Sequence, residues 1–164
     1  MNSLESLEFR SNPGLVGKIP TGVGYLRKLE SLVLLENGLS GKLPMEMGNL
    51  VNLRKLVLQE NHFVGQIPSS FGHLTELLIL DLSRNNLSGS LPAAFGGDLR
   101  SIQWKHLQNL EILDLSNTGL AGEIPESVAE MGKLRRISRI LRRVFQENGK
   151  AIWGLGQPKS LLQF

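Results

Sequence analysis

The 164-residue chain contains no cysteine, which excludes a disulfide framework and any metal site built on thiolates. Histidine is nearly as scarce. His62, His73 and His106 are the only three, and they stand at unrelated places in the pattern described below, so no metal site is expected. No Ser-His-Asp order, glycine-rich phosphate loop or carboxylate pair stands out either, which argues against catalysis and against a bound cofactor. No apolar run reaches the roughly 18 residues that a membrane span needs. No charged segment followed by an apolar stretch and a cleavage site opens the chain. As written it has neither anchor nor route out of the cytosol, and its N-terminus reads as a fragment edge.

Basic charge is missing from most of the chain despite a formal net charge of +3. Residues 1–132 hold 10 Lys and Arg against 14 Asp and Glu, a balance of −4, whereas residues 133–164 hold 8 against 1, a balance of +7. The basic character belongs to the tail and gives the body no nucleic-acid signature.

What the chain does contain is a repeat of 24 residues, written without a gap from Leu29 to Pro92. Leucine stands at the first, fourth and sixth places of each copy: Leu29, Leu32 and Leu34; Leu53, Leu56 and Leu58; Leu77, Leu80 and Leu82. Asparagine follows at the ninth (Asn37, Asn61, Asn85), Leu or Phe at the eleventh, Gly at the thirteenth, Leu or Ile with Pro at the fifteenth and sixteenth, and Gly at the twentieth. An earlier copy starts at Leu4, with Asn12 at the ninth place and one extra residue at Pro13-Gly14. A fifth starts at Leu110 and carries Thr118 where the asparagine should be. The prolines Pro20, Pro44, Pro68, Pro92 and Pro125 are spaced 24, 24, 24 and then 33, so nine residues too many separate the last pair.

A fixed period of this length and the wording L-x-x-L-x-L-x-x-N-x-L signal a leucine-rich-repeat solenoid. The expected fold class is α/β: a right-handed horseshoe of about five coils over 1–132, irregular at 93–109. Each coil gives one short parallel strand, with alternating places facing in and out. Inward leucines form a column that no single coil can bury alone. The ninth-place side chains, Asn12, Asn37, Asn61, Asn85 and Thr118, form a ladder that satisfies backbone groups left unpaired by the turn. The Gly-x-Ile/Leu-Pro segment reads as a second short strand on the flank, and the remainder of each coil as a turn or short 3-10 helix on the convex side. Beyond 132 lies a basic tail. Leu134, Ile137, Leu141, Val144 and Phe145 share one helical face, which predicts a helix over about 134–147, and Gly149 would end it. This tail reads as a cap for the open end of the solenoid or as a frame-shifted sequence with no selected role, ahead of a surface for acidic membrane or a calmodulin-like partner.

The pattern is similar to the plant-type leucine-rich repeats of receptor-like kinases and receptor-like proteins. The phrases NPGLVGKIP, Asn12 to Pro20, and LQNLEILDLSNTGLAGEIPESV, Leu107 to Val128, resemble the Piriformospora indica-insensitive receptor-like proteins. That resemblance implies an extracellular horseshoe at the plasma membrane that binds a ligand or co-receptor in defence, symbiosis or developmental signalling. The chain departs from it in lacking a leader and a cysteine-bearing N-terminal cap. It departs also at Gly96 to Leu107, which reads as the end of one repeat joined to the end of another, as an exon skip would produce.

The outward strand places are where such a protein would meet a protein or peptide ligand or a co-receptor: Glu8, Val33, Leu35, Val57, Gln59, Ile79, Asp81, Ile112 and Asp114. Val33, Leu35, Val57, Ile79 and Ile112 would be unusual on a surface without a partner. Asn86-Leu87-Ser88 is the only glycosylation sequon and places Asn86 outward. The expected function is therefore non-catalytic recognition of a protein or peptide, with no nucleic-acid partner. A second reading is an inhibitor of a wall-degrading hydrolase built on the same repeat, and a third is a non-functional product of aberrant splicing.

Overall fold

The computed structural model of the protein describes residues 3–90, 106–121 and 131–138. In chain order its strands are β1 (Ser6–Gly17), β2 (Ser31–Lys42), β3 (Lys55–Val57), β4 (His62–Gly65), β5 (Ile79–Asp81), β6 (Asn86–Ser90), β7 (Ile112–Asp114), β8 (Gly119–Ala121) and β9 (Arg136–Ser138). All pairings are parallel. One ladder runs β1-β2-β3-β5-β7-β9, and a second runs through the ends of β1 and β2 to β4, β6 and β8. The result is a leucine-rich-repeat horseshoe with a curled parallel sheet on the concave side and a second sheet on the flank.

Register on the concave side is carried by the leucine pattern. The chain of partners Leu7, Leu32, Leu56, Leu80, Leu113 and Ile137 keeps inward places opposite inward places across all six strands. A slip of one residue would turn every leucine outward. Each coil also docks on the last through one shared carbonyl: Glu5 O accepts from the amides of Glu30 and Ser31, Glu30 O from Arg54 and Lys55, and so on to Glu111 O, which accepts from Arg135 and Arg136. Leu29, Leu53, Leu77 and Leu110, with Leu32, Leu56 and Leu80, Leu58 and Leu82, and the eleventh-place Phe63, are buried in one continuous core.

The flank sheet slips by two residues relative to the concave one. Ser31 opposes Lys55, 24 residues on, but Ser40 opposes His62, only 22 on. The same two-residue slip separates Ile79↔Ile112 from Ser88↔Gly119. In the first coil the slip is three, from Asn12↔Asn37 to Val16↔Gly38, and the extra residue is the Pro13-Gly14 insertion, absorbed as a bulge. The nine extra residues before the fifth coil leave both sheets in register. Asn109 Nδ2 also donates to Thr75 O at 2.9 Å, as Asn52 Nδ2 does to Arg27 O at 2.7 Å.

The convex side is a series of 3-10 turns, Thr21–Tyr25, Met45–Asn49 and Ser69–His73, each entered from a proline with φ between −60° and −72°. The twentieth-place glycines let these turns stack. A Cβ on Gly48 would lie 2.5 Å from the backbone oxygen of Ser70, and one on Gly24 2.5 Å from that of Glu46.

Three expectations change. The flank strand does not begin at the thirteenth-place glycine: in β4 it ends there, at Gly65, whose φ of +80° turns the chain away before Gln66-Ile67-Pro68. Residues 136–138 do not begin a helix but form β9, because Leu134 and Ile137 also satisfy the first and fourth places of a sixth copy, and Ile137 pairs with Leu113. The repeat sheet therefore passes the expected boundary at 132/133. The rest of the expected helix, 139–147, the remainder of the tail and most of the irregular segment 93–109 lie outside the described residues.

Candidate functional site: the concave face

Alternation along each concave strand sends the third, fifth and seventh places outward. In register these form columns of Ser6, Ser31, Lys55, Ile79, Ile112 and Arg136; then Glu8, Val33, Val57, Asp81, Asp114 and Ser138; and, by continuation, Arg10, Leu35, Gln59, Ser83 and Ser116. None of Val33, Leu35, Val57, Ile79 and Ile112 belongs to the core cluster, which places them on the other face of the sheet from the leucines.

They are nevertheless not exposed as the sequence suggested. Val33 is 0% exposed, and Leu35, Val57, Ile79 and Ile112 are half-buried. Strands about 4.8 Å apart put matching side chains against each other's flanks, so Val33 is hidden between Glu8 and Val57. Alternation predicts a side chain's direction and leaves its neighbours' cover out of account. The face offers a continuous half-covered apolar floor, with Val33 as support beneath it.

The charged members divide into two groups. Glu8 Oε2 accepts from Arg10 Nη2 at 2.9 Å and from Arg10 Nε at 3.3 Å, and this hydrogen bonding holds the Glu8 carboxyl below the usual range. Both side chains lie open to solvent at the start of the sheet, so the pair contributes little to stability. Asp81 is half-buried, and that burial pushes its pKa above the usual aspartate value, with the charge of Asp114 acting in the same direction. Ser83 opposes the rise by donating to Asp81 Oδ1 from its hydroxyl at 2.6 Å and its amide at 3.0 Å, and Arg136 opposes it through its charge. Asp114 Oδ1 accepts the Ser116 amide at 2.9 Å. In both coils a serine two residues on fixes one carboxylate oxygen and leaves the other without a bond among the described residues. Ser83 and Ser116 stand at the outward seventh place that the repeat predicts, whereas the Arg136 and Ser138 contributed by β9 were not expected on this face. The serines were visible as Asp-Leu-Ser at 81–83 and 114–116, whereas Arg136 was hidden by the helical reading.

At the rim, where the chain leaves the concave sheet, stands the asparagine ladder. Asn61 Nδ2 donates to Leu34 O at 2.6 Å, Leu58 O at 3.1 Å and Gln59 O at 3.2 Å, while its Oδ1 accepts the Leu39 amide at 3.2 Å. Asn85 repeats this with Leu58 O at 2.9 Å, Leu82 O, Ser83 O and the Phe63 amide. Asn37 does so with Phe9 O, Leu35 O and the Asn12 amide. The side chain of Asn12 is exposed and, among the described residues, donates only to Arg10 O, two residues away. Thr118 donates its hydroxyl to Leu115 O of its own coil at 2.8 Å.

Just before each of these, Ser11, Glu36, Glu60, Arg84 and Asn117 all adopt left-handed backbone, with φ between 52° and 59°. The repeat pattern places Glu36, Glu60, Arg84 and Asn117 outward at its eighth place, but their left-handed backbone was not anticipated. Three of these residues, Glu36, Glu60 and Arg84, line a shallow groove of about 390 Å³ between the two sheets, together with Pro13, Gly38, His62 and Asn86. Asn86 is exposed on β6 at the edge of that groove. Among the described residues there is no group of three or more His, Cys, Asp or Glu arranged to hold a metal ion, and no helix long and apolar enough to cross a membrane.

Comparison with known proteins agrees with this architecture. Residues 51–104 and 109–131 match family descriptions for the leucine-rich repeat. A stretch of 37 residues is 68% identical to Piriformospora indica-insensitive protein 2 of Arabidopsis thaliana, covering 23% of this chain and 9% of that protein. Among solved structures, PEPR1-AtPEP1 superposes with a TM-score of 0.73 at 39% identity over 84% of this chain. The Arabidopsis receptor kinase HAESA ectodomain, in complex with an extended IDA peptide hormone ligand, superposes with a TM-score of 0.65 at 35% identity over 76%. The chain spans only 18% and 19% of those two structures. Period, register, ladder and likeness converge on a leucine-rich-repeat solenoid similar to those of plant receptor-like proteins.

Proposed function

We propose that this chain is a non-catalytic recognition module that binds a protein or peptide on its concave face, and that it does so as part of a plant signalling or defence protein at or outside the plasma membrane. The observation that carries the reading is the outward floor of Leu35, Val57, Ile79 and Ile112. It is half-covered by its own neighbours, flanked by two carboxylates that each have one oxygen without a bond among the described residues, and presented by four strands in one register. A half-buried apolar strip of this kind is completed by a partner that covers the remainder. The peptide ligand named for the HAESA structure supports the same use of the fold. Glu8, Val33, Leu35, Val57, Gln59, Ile79, Asp81, Ile112 and Asp114 are the proposed contact residues, with Val33 acting from beneath. Asn86 is the proposed glycan acceptor on the flank sheet, where a sugar leaves the concave face open.

The full chain, screened against an array of synthetic peptides, is expected to give binders that weaken about tenfold or more on Val57→Ala or Asp81→Ala. The circular dichroism of both variants should match that of the parent. Binders indifferent to both changes, or a loss of binding that merely tracks loss of fold, would place recognition elsewhere.

A further inference from the structure

Along the solenoid, amides at the sixth and eighth places donate to carbonyls at the fifth and seventh places of the following coil: Leu58 N to Asp81 O, Glu60 N to Ser83 O, Leu82 N to Asp114 O and Arg84 N to Ser116 O. Odd places therefore turn their backbone groups toward the coil before them. In β1 those places are Ser6, Glu8 and Arg10, and among the described residues β1 pairs only with β2. Arg10 O already accepts from Asn12 Nδ2 at 2.7 Å. Gln59 O, at the same place in its coil, accepts from Asn61 Nδ2 and from the Glu36 amide together, so a second bond at Arg10 O fits the pattern. The core is open at this edge as well. Phe9 at the sixth place is 43% exposed, whereas Leu34, Leu58, Leu82 and Leu115 in the same column are buried. A strand edge with unpaired backbone groups beside an uncovered aromatic is a template for another strand.

We propose that this edge is a self-association surface, on which two copies of the chain pair their β1 strands antiparallel across a two-fold axis at Phe9. An antiparallel partner must set outward-turned residues against outward-turned residues as hydrogen-bonded pairs. With the axis at Phe9, Glu8 meets Arg10 of the other copy, Arg10 meets its Glu8, and the two Phe9 rings meet as the closer, non-hydrogen-bonded pair. An axis at Glu8 or at Arg10 would set like charges directly opposite, which destabilises. The acid and the base stand two residues apart on one strand, 2.9 Å from each other, so only a reversed copy of the same strand brings them opposite one another. Ser11, at φ 52°, and the bulge at Pro13-Gly14 end the extended run and keep the pairing short. The contact is isologous, so it closes as a dimer, with the two concave sheets joined into one.

The full chain, followed by sedimentation equilibrium over a concentration series, is expected to show monomer and dimer only. Phe9→Lys should weaken dimerisation about tenfold or more, with the circular dichroism unchanged. Glu8→Arg and Arg10→Glu should each weaken it as well, while a mixture of the two single variants forms a heterodimer. The double variant Glu8→Arg, Arg10→Glu should self-associate within about threefold of the parent. Because the chain has no cysteine, a single introduced thiol reads the register without background. On oxidation Phe9→Cys should cross-link at the axis, where the paired Cα atoms are close enough for a disulfide, and should do so faster than Glu8→Cys or Val16→Cys. A monomer at every concentration, a dimer indifferent to Phe9→Lys and to both charge changes, or faster cross-linking of Glu8→Cys than of Phe9→Cys overturns the proposal. An open series of higher assemblies overturns it too, since that is the mark of β9 of one copy stacking on β1 of the next.

Discussion

The coil built around Asn61 and the coil built around Thr118 differ in one residue at the ladder, yet both keep the same strand register. Asn61 spends two of its bonds on the coil before it, at Leu34 O and the Leu39 amide. Among the described residues, Thr118 bonds only within its own coil. Nevertheless β7 pairs with β5 at Ile79↔Ile112 as β3 pairs with β2, and the backbone bonds Leu82 N to Asp114 O and Arg84 N to Ser116 O are made. Register is therefore set by the leucine columns and the concave backbone bonds, while the ninth-place amide adds strength at the rim without choosing the alignment.

If that division holds, removing an inward leucine should hurt either coil alike. Leu56 is fully buried and Leu113 nearly so, and each →Ala change should cost about 2–5 kcal/mol through lost transfer energy and the cavity left behind. Urea unfolding of the two variants checks it. A much smaller loss for Leu113→Ala would mean that the fifth coil is loosely packed throughout, and that its ladder residue is only one symptom.

Removing the ladder residue, by contrast, should separate the two coils. Asn61→Ala leaves buried carbonyls and the Leu39 amide without partners and should cost about 1–3 kcal/mol, whereas Thr118→Ala gives up a single bond worth about 0.5–1.5 kcal/mol. Thr118→Asn should gain about 1 kcal/mol by reaching back to the previous coil. Amide hydrogen exchange at Leu87, the residue matching Leu39 and Phe63, would report it directly. An unchanged or faster rate there would show that the amide is not admitted at this place.

Much of this was legible before any coordinates. Leucine spacing alone predicted the concave strands, because an inward apolar residue every second place admits one register. The asparagines were legible because a polar residue at a fixed place between buried leucines has no other reason to be there. What escaped did so for physical reasons. Leu134 and Ile137, three apart, satisfy a helix turn and the L-x-x-L of a strand equally, and Arg139 at the sixth place favours the helix. Partner register with Leu113, a non-local fact, decides it for residues 136–138. Cover over Val33 and the burial of Asp81 likewise come from neighbours 24 or more residues away in sequence.

That burial of Asp81 makes the middle of the face respond to pH in a sense opposite to its start. A carboxyl whose pKa is higher folded than unfolded binds more protons in the folded state. Its contribution to stability is therefore greatest below the ordinary aspartate value and falls as pH rises through the raised pKa. Glu8, held low by Arg10, contributes in the other direction: its stabilisation is present above the ordinary glutamate value and is lost as pH falls through the lowered pKa. Asp81→Asn should flatten the fall in stability on raising pH above the aspartate range, measured as unfolding midpoint against pH. A steeper fall in the variant would show that the Ser83 bonds outweigh burial.

The smallest expected effect comes from the left-handed column, where the fifth coil is the better built of the two. An L-residue in this backbone region sets its Cβ against the following carbonyl at a cost of about 1–2 kcal/mol, which asparagine offsets by local hydrogen bonding. The fifth coil has Asn117 there, at φ 52°, and the third has Glu60, at φ 59°. Glu60 gains something in return from Arg84 at 3.6 Å, but both side chains are about half exposed, and such pairs contribute roughly 0–1 kcal/mol. Relief of strain should outweigh that loss. Glu60→Asn is expected to raise stability by about 0.5 kcal/mol, and Asn117→Glu to lower it by about as much. Thermal unfolding of the two single variants and of Glu60→Gly separates strain from side-chain bonding, since glycine removes the strain without adding a side-chain bond. If both Glu60 variants were destabilised, the ion pair with Arg84 would outweigh the strain, and the left-handed turn would be held without cost by the bonds on either side of it.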